Sequence, residues 1–127
     1  MIDVRDFIGA KYKLHGRTKE EGFDCYGLVL AVEKRIGNEL PDFDYKIDSP
    51  ELFFMYSEKM QREKKIQKIT TFTDGAIILF QSRTGERLHI GVYVGDGCFC
   101  HCNSLGVHLD KITSIDKDLM EIFVWQK

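Results

Sequence analysis

The chain has 127 residues, enough for one domain with a modest core. Apolar residues make up 43%, charged residues 30%, and the formal net charge is −2, which excludes a basic nucleic-acid surface. No apolar run approaches the roughly 20 residues that cross a bilayer, and the start, Met1-Ile2-Asp3-Val4-Arg5-Asp6, has acids where a signal peptide needs bases.

Residues 2–9 read as a short helix stopped at Gly9. Residues 11–21 read as a polar loop. A main helix is expected over about 24–36, with Cys25, Leu28, Val29, Val32 and Ile36 at helical spacing and Gly37 as its stop. Ser49-Pro50-Glu51 has the chemistry of a second helix start, and that helix should run over about 50–65. Leu52, Phe53, Met55, Tyr56 and Met60 would pack one of its faces.

From residue 66 the period changes to two. Ile66–Ile69 with Thr70-Thr71-Phe72 makes a short strand. Five more are expected over 75–81, 87–94, 98–102, 107–109 and 120–125. Asp96-Gly97 is a hairpin turn, and Asp74-Gly75 and Ser104-Leu105-Gly106 are further turns. Helices first and strands second predicts an α+β fold, a single domain over 1–127, with N-terminal helices on an antiparallel sheet of five to six strands.

The chemistry starts at Gly22-Phe23-Asp24-Cys25-Tyr26-Gly27. Asp24 is a natural N-cap, and Cys25 falls in the first helical turn, where partial positive charge favours thiolate. His89 and Gly91 share one face of a predicted strand, and the glycine leaves room beside the imidazole. His101 follows on the next strand, across the Asp96-Gly97 turn. A thiol, an imidazole to hold its proton and a third group to orient that imidazole form an acyl-transfer triad. Cys25 is the candidate nucleophile, His89 the base and His101 the orienter. His15 and His108 read as surface residues.

The row Cys98, Cys100 and Cys102 alternates along one strand. Neighbours two apart on a strand do not easily form a disulfide, so the thiols should be reduced. C-x-C-x-C also does not readily converge three sulfurs on one zinc ion. The expected reading is a thiol row packed against the helices, with no metal and no cofactor.

These residues resemble the NlpC-type cell-wall cysteine peptidases, whose fold is a permuted papain-like one. Tyr12 and Gly16, Gly22-Phe23-Asp24-Cys25 with Gly27-Leu28-Val29, Leu40-Pro41, Asp74-Gly75-Ala76, His89-Ile90-Gly91-Val92-Tyr93-Val94-Gly95 and Phe99-Cys100-His101 carry the likeness. It covers most of residues 8–110. His89 and His101 are twelve apart, the family's usual separation. The resemblance implies Cys25, His89 and His101 as catalytic residues, and Tyr12 beside the oxyanion. Tyr26 stands where most members have a serine that contributes to the substrate pocket; with Tyr26, Asp24 and Gly91 complete the implied substrate-side set. The implied reaction is hydrolysis of peptidoglycan stem peptides between D-glutamyl and a diamino acid. Tyr26, the second helix and the missing leader look like the phage-tail and prophage branch. That implies tail proteins as partners and delivery on a virion tail, with the cytoplasm otherwise, and no nucleic-acid or membrane partner. Two other readings stay open: a tail component of the same fold that docks rather than cleaves, and an acyltransferase or amidase.

Overall fold

A computed structural model of the chain describes residues 1–46, 50–81, 88–115 and 120–126, with the backbone alone at 50–55, 81 and 88. Two short strands, β1 (Arg17–Thr18) and β2 (Gly22–Phe23), precede helix α1 (Cys25–Arg35) and helix α2 (Pro50–Arg62). Six strands follow: β3 (Ile66–Ile69), β4 (Ile77–Gln81), β5 (Leu88–Gly95), β6 (Cys98–Asn103), β7 (Gly106–Lys111) and β8 (Met120–Trp125). They form one sheet in the order β3-β8-β4-β5-β6-β7, with every neighbouring pair antiparallel. The architecture is the expected α+β arrangement with six strands. No helix among the described residues is long and apolar enough to cross a membrane.

The start of the chain departs from expectation. Residues 5–9 form turns rather than a helix. Backbone groups beside and at the end of this segment pair with the sheet instead: Ile2 N donates to Val94 O at 2.8 Å and Gly9 N to Val107 O at 3.0 Å. Ile2, Val4 and Phe7 are buried, a spacing that suits an irregular strap and no helical face. The β1–β2 hairpin begins in the loop at 11–21 and closes just after it, where Phe23 pairs with Arg17.

Helix α1 is set as its sequence dictates. Asp24 caps it by accepting from Gly27 N at 2.7 Å. Gly37 takes φ +88 just past its end, the left-handed turn that a glycine adopts without strain. Helix α2 ends three residues before the expected 65. Lys64 turns left-handed at φ 58, and Lys65 N reaches back to Met60 O at 2.8 Å, which closes the last turn. The expected cap Ser49 and the strand start at Arg87 lie outside the described residues, as do the side chains of Leu52, Phe53 and Met55.

Helix α1 packs on the sheet through Leu28, Val29 and Val32. The facing layer holds Ile77, Leu79, Ile90, Val92, Val94, Cys100 and Phe123. A second, smaller cluster of Ile78, Phe99 and Ile115, joined by Phe72, Phe80 and Tyr93, covers the other sheet face. Alternation along each strand feeds both clusters.

Candidate active site

Two glycines fix the approach to α1. A Cβ on Gly27 would lie 2.1 Å from Gly16 O, and one on Gly16 would lie 2.1 Å from Gly22 O, so only glycine fits at either place. Segment 11–13 brackets Phe23: Phe23 N donates to Lys11 O and Lys13 N donates to Phe23 O, each at 3.0 Å. Tyr12 bridges to Phe23 and so stands two residues from Cys25.

Asp24 is fully buried. Besides Gly27 N, it accepts from His15 N at 2.8 Å, from Arg17 Nη1 at 3.0 Å and from the Tyr45 hydroxyl. Arg17 continues the network to Asp42 through Nε and Nη2, each at 3.0 Å, and to the Tyr45 hydroxyl at 2.9 Å. The carboxylate is thus held by four protein donors. Tyr26 is also buried; its hydroxyl donates to Pro41 O at 2.6 Å and its ring lies on Phe43. Burial pushes the Tyr26 phenol well above its usual range.

The imidazoles form a chain on the sheet. His101 stands opposite Gly91 in the β5–β6 register, so His89 is its diagonal neighbour. His89 Nε2 and His101 Nδ1 are 2.7 Å apart, and His101 Nε2 is 2.6 Å from Asp110 Oδ2 on β7. A Cβ on Gly91 would lie 3.0 Å from Phe99 Cδ2 and 3.3 Å from His101 Cβ. The space beside His89 is therefore filled by the protein's own rings. The hydrogen bonds assign the protons. The Asp110 carboxylate accepts, so His101 carries its proton on Nε2. His101 Nδ1 then accepts from His89 Nε2–H, which leaves His89 Nδ1 as a bare acceptor. Burial, with His101 and His108 adding to it, pushes His89 down to about 4. Burial also lowers His101, with Asp110 opposing.

His108 was expected at the surface. It is half-buried instead, directly across from His101, with ring centroids 4.1 Å apart.

Cys25 starts α1 and is 4% exposed. It belongs to the core cluster that includes Ile90, Val92, Cys100 and Cys102. His89, Gly91 and His101 take the alternate positions of the same strands, on the sheet face that carries Phe80 and Phe99. The two imidazoles are thus brought together on β5 and β6, and Cys25 stands at the start of α1. Both parts sit at one end of the sheet. The Cys102 thiol, next to His101, donates to Phe23 O at 3.2 Å, just ahead of Cys25. Cys100 and Cys102 pack under α1 as expected of the thiol row, and no cysteine is in a disulfide. Burial pushes the Cys100 thiol up to about 12.

A sequence profile of the NlpC/P60 family matches residues 9–126. The chain belongs to the NlpC/P60 family. Murein DD-endopeptidase MepH of Escherichia coli (strain K12) is 27% identical over 121 residues, covering 94% of this chain and 39% of that protein. The chain thus spans well under half the length of this curated relative. Among solved structures, NlpC2 from Trichomonas vaginalis superposes with a TM-score of 0.64 at 22% identity, over 98% of this chain and 44% of that one. The NlpC/p60 domain of peptidoglycan hydrolase SagA gives 0.55 at 19% identity, over 94% and 90%. These two likenesses show a common fold, the permuted papain-like one of the NlpC/P60 domains.

Proposed function

We propose that this NlpC/P60 domain is a cysteine peptidase that cleaves stem peptides of peptidoglycan through an acyl-enzyme. The observation that carries the reading is the His89–His101–Asp110 chain, which points the proton of His89 away from Nδ1. A general base needs that bare nitrogen. In the proposed reaction the Cys25 thiol gives its proton to His89 Nδ1 and attacks the scissile carbonyl carbon. Backbone N–H of Cys25 and the Tyr12 hydroxyl hold the oxyanion, at about 3 kcal/mol per donor. His89 returns the proton to the leaving amine, and water then hydrolyses the thioester with His89 as base. His101 orients His89, and Asp110 orients His101. Asp24 holds the helix start, Tyr26 walls the Pro41 side, and Gly91 gives His101 its room. The reading requires the thiol to meet His89 at the end of β5, where His89 is the second residue of its strand.

The bond proposed is that between D-glutamyl and the diamino acid. The name of the E. coli relative points to the DD linkage instead. Mass spectrometry of digested muropeptides, wild type beside Cys25→Ala, tests both. New peptide termini with wild type alone support the peptidase. Equal cleavage by Cys25→Ala refutes Cys25 as nucleophile.

The burial of Cys25 favours a second reading: a domain of this fold that docks other proteins, such as tail components, through its cleft. Iodoacetamide separates the two. Stoichiometric alkylation of Cys25 at neutral pH supports the enzyme, and an inert thiol supports the docking domain.

A further inference from the structure

We infer that His101, His108 and Asp110 form a binding site for a divalent transition-metal ion of the zinc class, and that the ion switches off His89 as a base. The second half rests on the peptidase reading above; the first half does not.

The three ligand atoms lie within 4.8 Å of one another. His101 Nε2 is 2.6 Å and His108 Nε2 3.4 Å from Asp110 Oδ2. Ligands around a tetrahedral zinc ion, bound at about 2.0–2.1 Å, stand about 3.3 Å apart. His108 Nε2 already stands at that spacing from Asp110 Oδ2, and His101 Nε2 must move outward from its 2.6 Å hydrogen bond by roughly 0.7 Å. Two imidazoles and a carboxylate are a zinc-class donor set, and three protein ligands leave a fourth position open.

A second observation concerns His108. Its Nδ1 lies 3.1 Å from Gly106 O, a carbonyl that only accepts, so the ring proton is on Nδ1. His108 Nε2 then presents a lone pair toward the Asp110 carboxylate. Two acceptors facing each other at 3.4 Å call for a cation between them, either a metal ion or a second proton on His108. A histidine that donates Nδ1–H to a backbone carbonyl is already oriented as a metal ligand. The frame is rigid, since His101 and His108 are direct cross-strand partners and Asp110 is on the His108 face of β7. His108 and Asp110 are partly exposed, which opens a path for the ion.

The coupling to His89 follows from the proton count. A metal ion at His101 Nε2 displaces the proton that Asp110 accepts. Neutral His101 then keeps its proton on Nδ1 and donates it to His89 Nε2. His89 must carry its own proton on Nδ1, the atom that would receive the thiol proton.

Cobalt(II) titration of the full chain as Cys25→Ser tests the site without the thiol. A four-coordinate d–d spectrum with no thiolate-to-cobalt charge transfer, lost in Cys25→Ser with His108→Ala, supports it. No d–d spectrum at millimolar cobalt, or one that survives His108→Ala, overturns it and leaves the proton as the cation. Circular dichroism establishes that the His108 variants fold. The coupling is read from the rate of Cys25 alkylation. Zinc should slow it at least tenfold in wild type, EDTA should restore it, and His108→Ala should be insensitive. Equal slowing in His108→Ala, or none in a wild type whose Cys25 alkylates, overturns the coupling. A Cys25 that never alkylates sinks the peptidase reading and the coupling with it, while the cobalt spectrum still decides the site.

Discussion

Gly91 faces His101 across the β5–β6 ladder, and the absence of a side chain there is what lets the imidazole lean toward His89. An added Cβ would lie 3.0 Å from both Cys100 O and Phe99 Cδ2. One of those atoms is backbone in a sheet, so relief must come from the rings. Gly91→Ala should therefore displace His101 and lengthen its 2.7 Å contact with His89. Overpacking of this kind destabilises by about 1–3 kcal/mol. The expected outcome is a drop in kcat on muropeptides of tenfold or more, with a modest fall in Tm. Wild-type kcat in a folded Gly91→Ala would show that the His89–His101 contact does not matter to turnover.

In the proposed reaction Asp110 acts only through His101. Asp110→Asn can present an amide N–H to His101 Nε2 and so move the ring proton to Nδ1. In serine peptidases the comparable change lowers kcat by about 10⁴. Here the residue is one ring further from the nucleophile and partly exposed, so we expect a loss of roughly 10- to 100-fold, with KM unchanged. Nitrogen-15 chemical shifts of His101 should report the changed tautomer. An unchanged kcat alongside a changed tautomer would remove Asp110 from the mechanism.

The sequence carried the α+β order, the N-cap at Asp24 and the hairpin at Asp96-Gly97, because each depends on local chemistry. The face on which His101 falls is a different matter. A two-residue turn at Asp96-Gly97, counted without interruption, sets His101 opposite Val92 and turns it into the core. The structure has a bulge between Tyr93 and Gly95, which shifts the register by one and puts His101 on the face of His89. Gly95, at φ +105, was the one visible hint. Asp110 was legible in principle. The turn at Ser104-Leu105 pairs Asn103 with Gly106, and counting back sets His101 against His108 with Asp110 on the same face. The Arg17–Asp24–Asp42–Tyr45 network was not legible, because it joins residues as far as 28 apart through a loop of no regular period.

Asp24 anchors that network and the start of α1 together. Asp24→Ala would strand the N–H groups of Gly27 and His15, and among the described residues it would leave Arg17 with only Asp42 for charge compensation. Breaking a buried pair from one side destabilises by about 3–5 kcal/mol, and the lost cap adds about 1. Urea unfolding should show a loss in this range. Asp24→Asn keeps an acceptor for Gly27 N and should lose less. A loss under about 1 kcal/mol for Asp24→Ala would mean that the network contributes little.

Glu33 sets a pH dependence of the fold that is independent of the imidazoles. It is fully buried in α1, its Oε1 has no partner among the described residues, and Asn38 Nδ2 donates to Oε2 at 2.9 Å. Burial raises its carboxyl from 4.5 to about 7, with the Asn38 hydrogen bond opposing. A carboxyl whose folded pKa lies above its unfolded one binds more protons in the folded state between those two values. Stability must then fall as pH rises through that window, by up to about 1.4 kcal/mol per unit. The loss is complete above about 7 and absent below about 4.5. Glu33→Gln keeps the shape and the acceptor for Asn38 but removes the charge. It should be more stable than wild type by roughly 2–3 kcal/mol at about pH 8 and nearly equal to it at about pH 4. Urea midpoints of both proteins across that range check the slope. A Glu33→Gln that is less stable than wild type at the alkaline end would show that Glu33 is held as a compensated carboxylate.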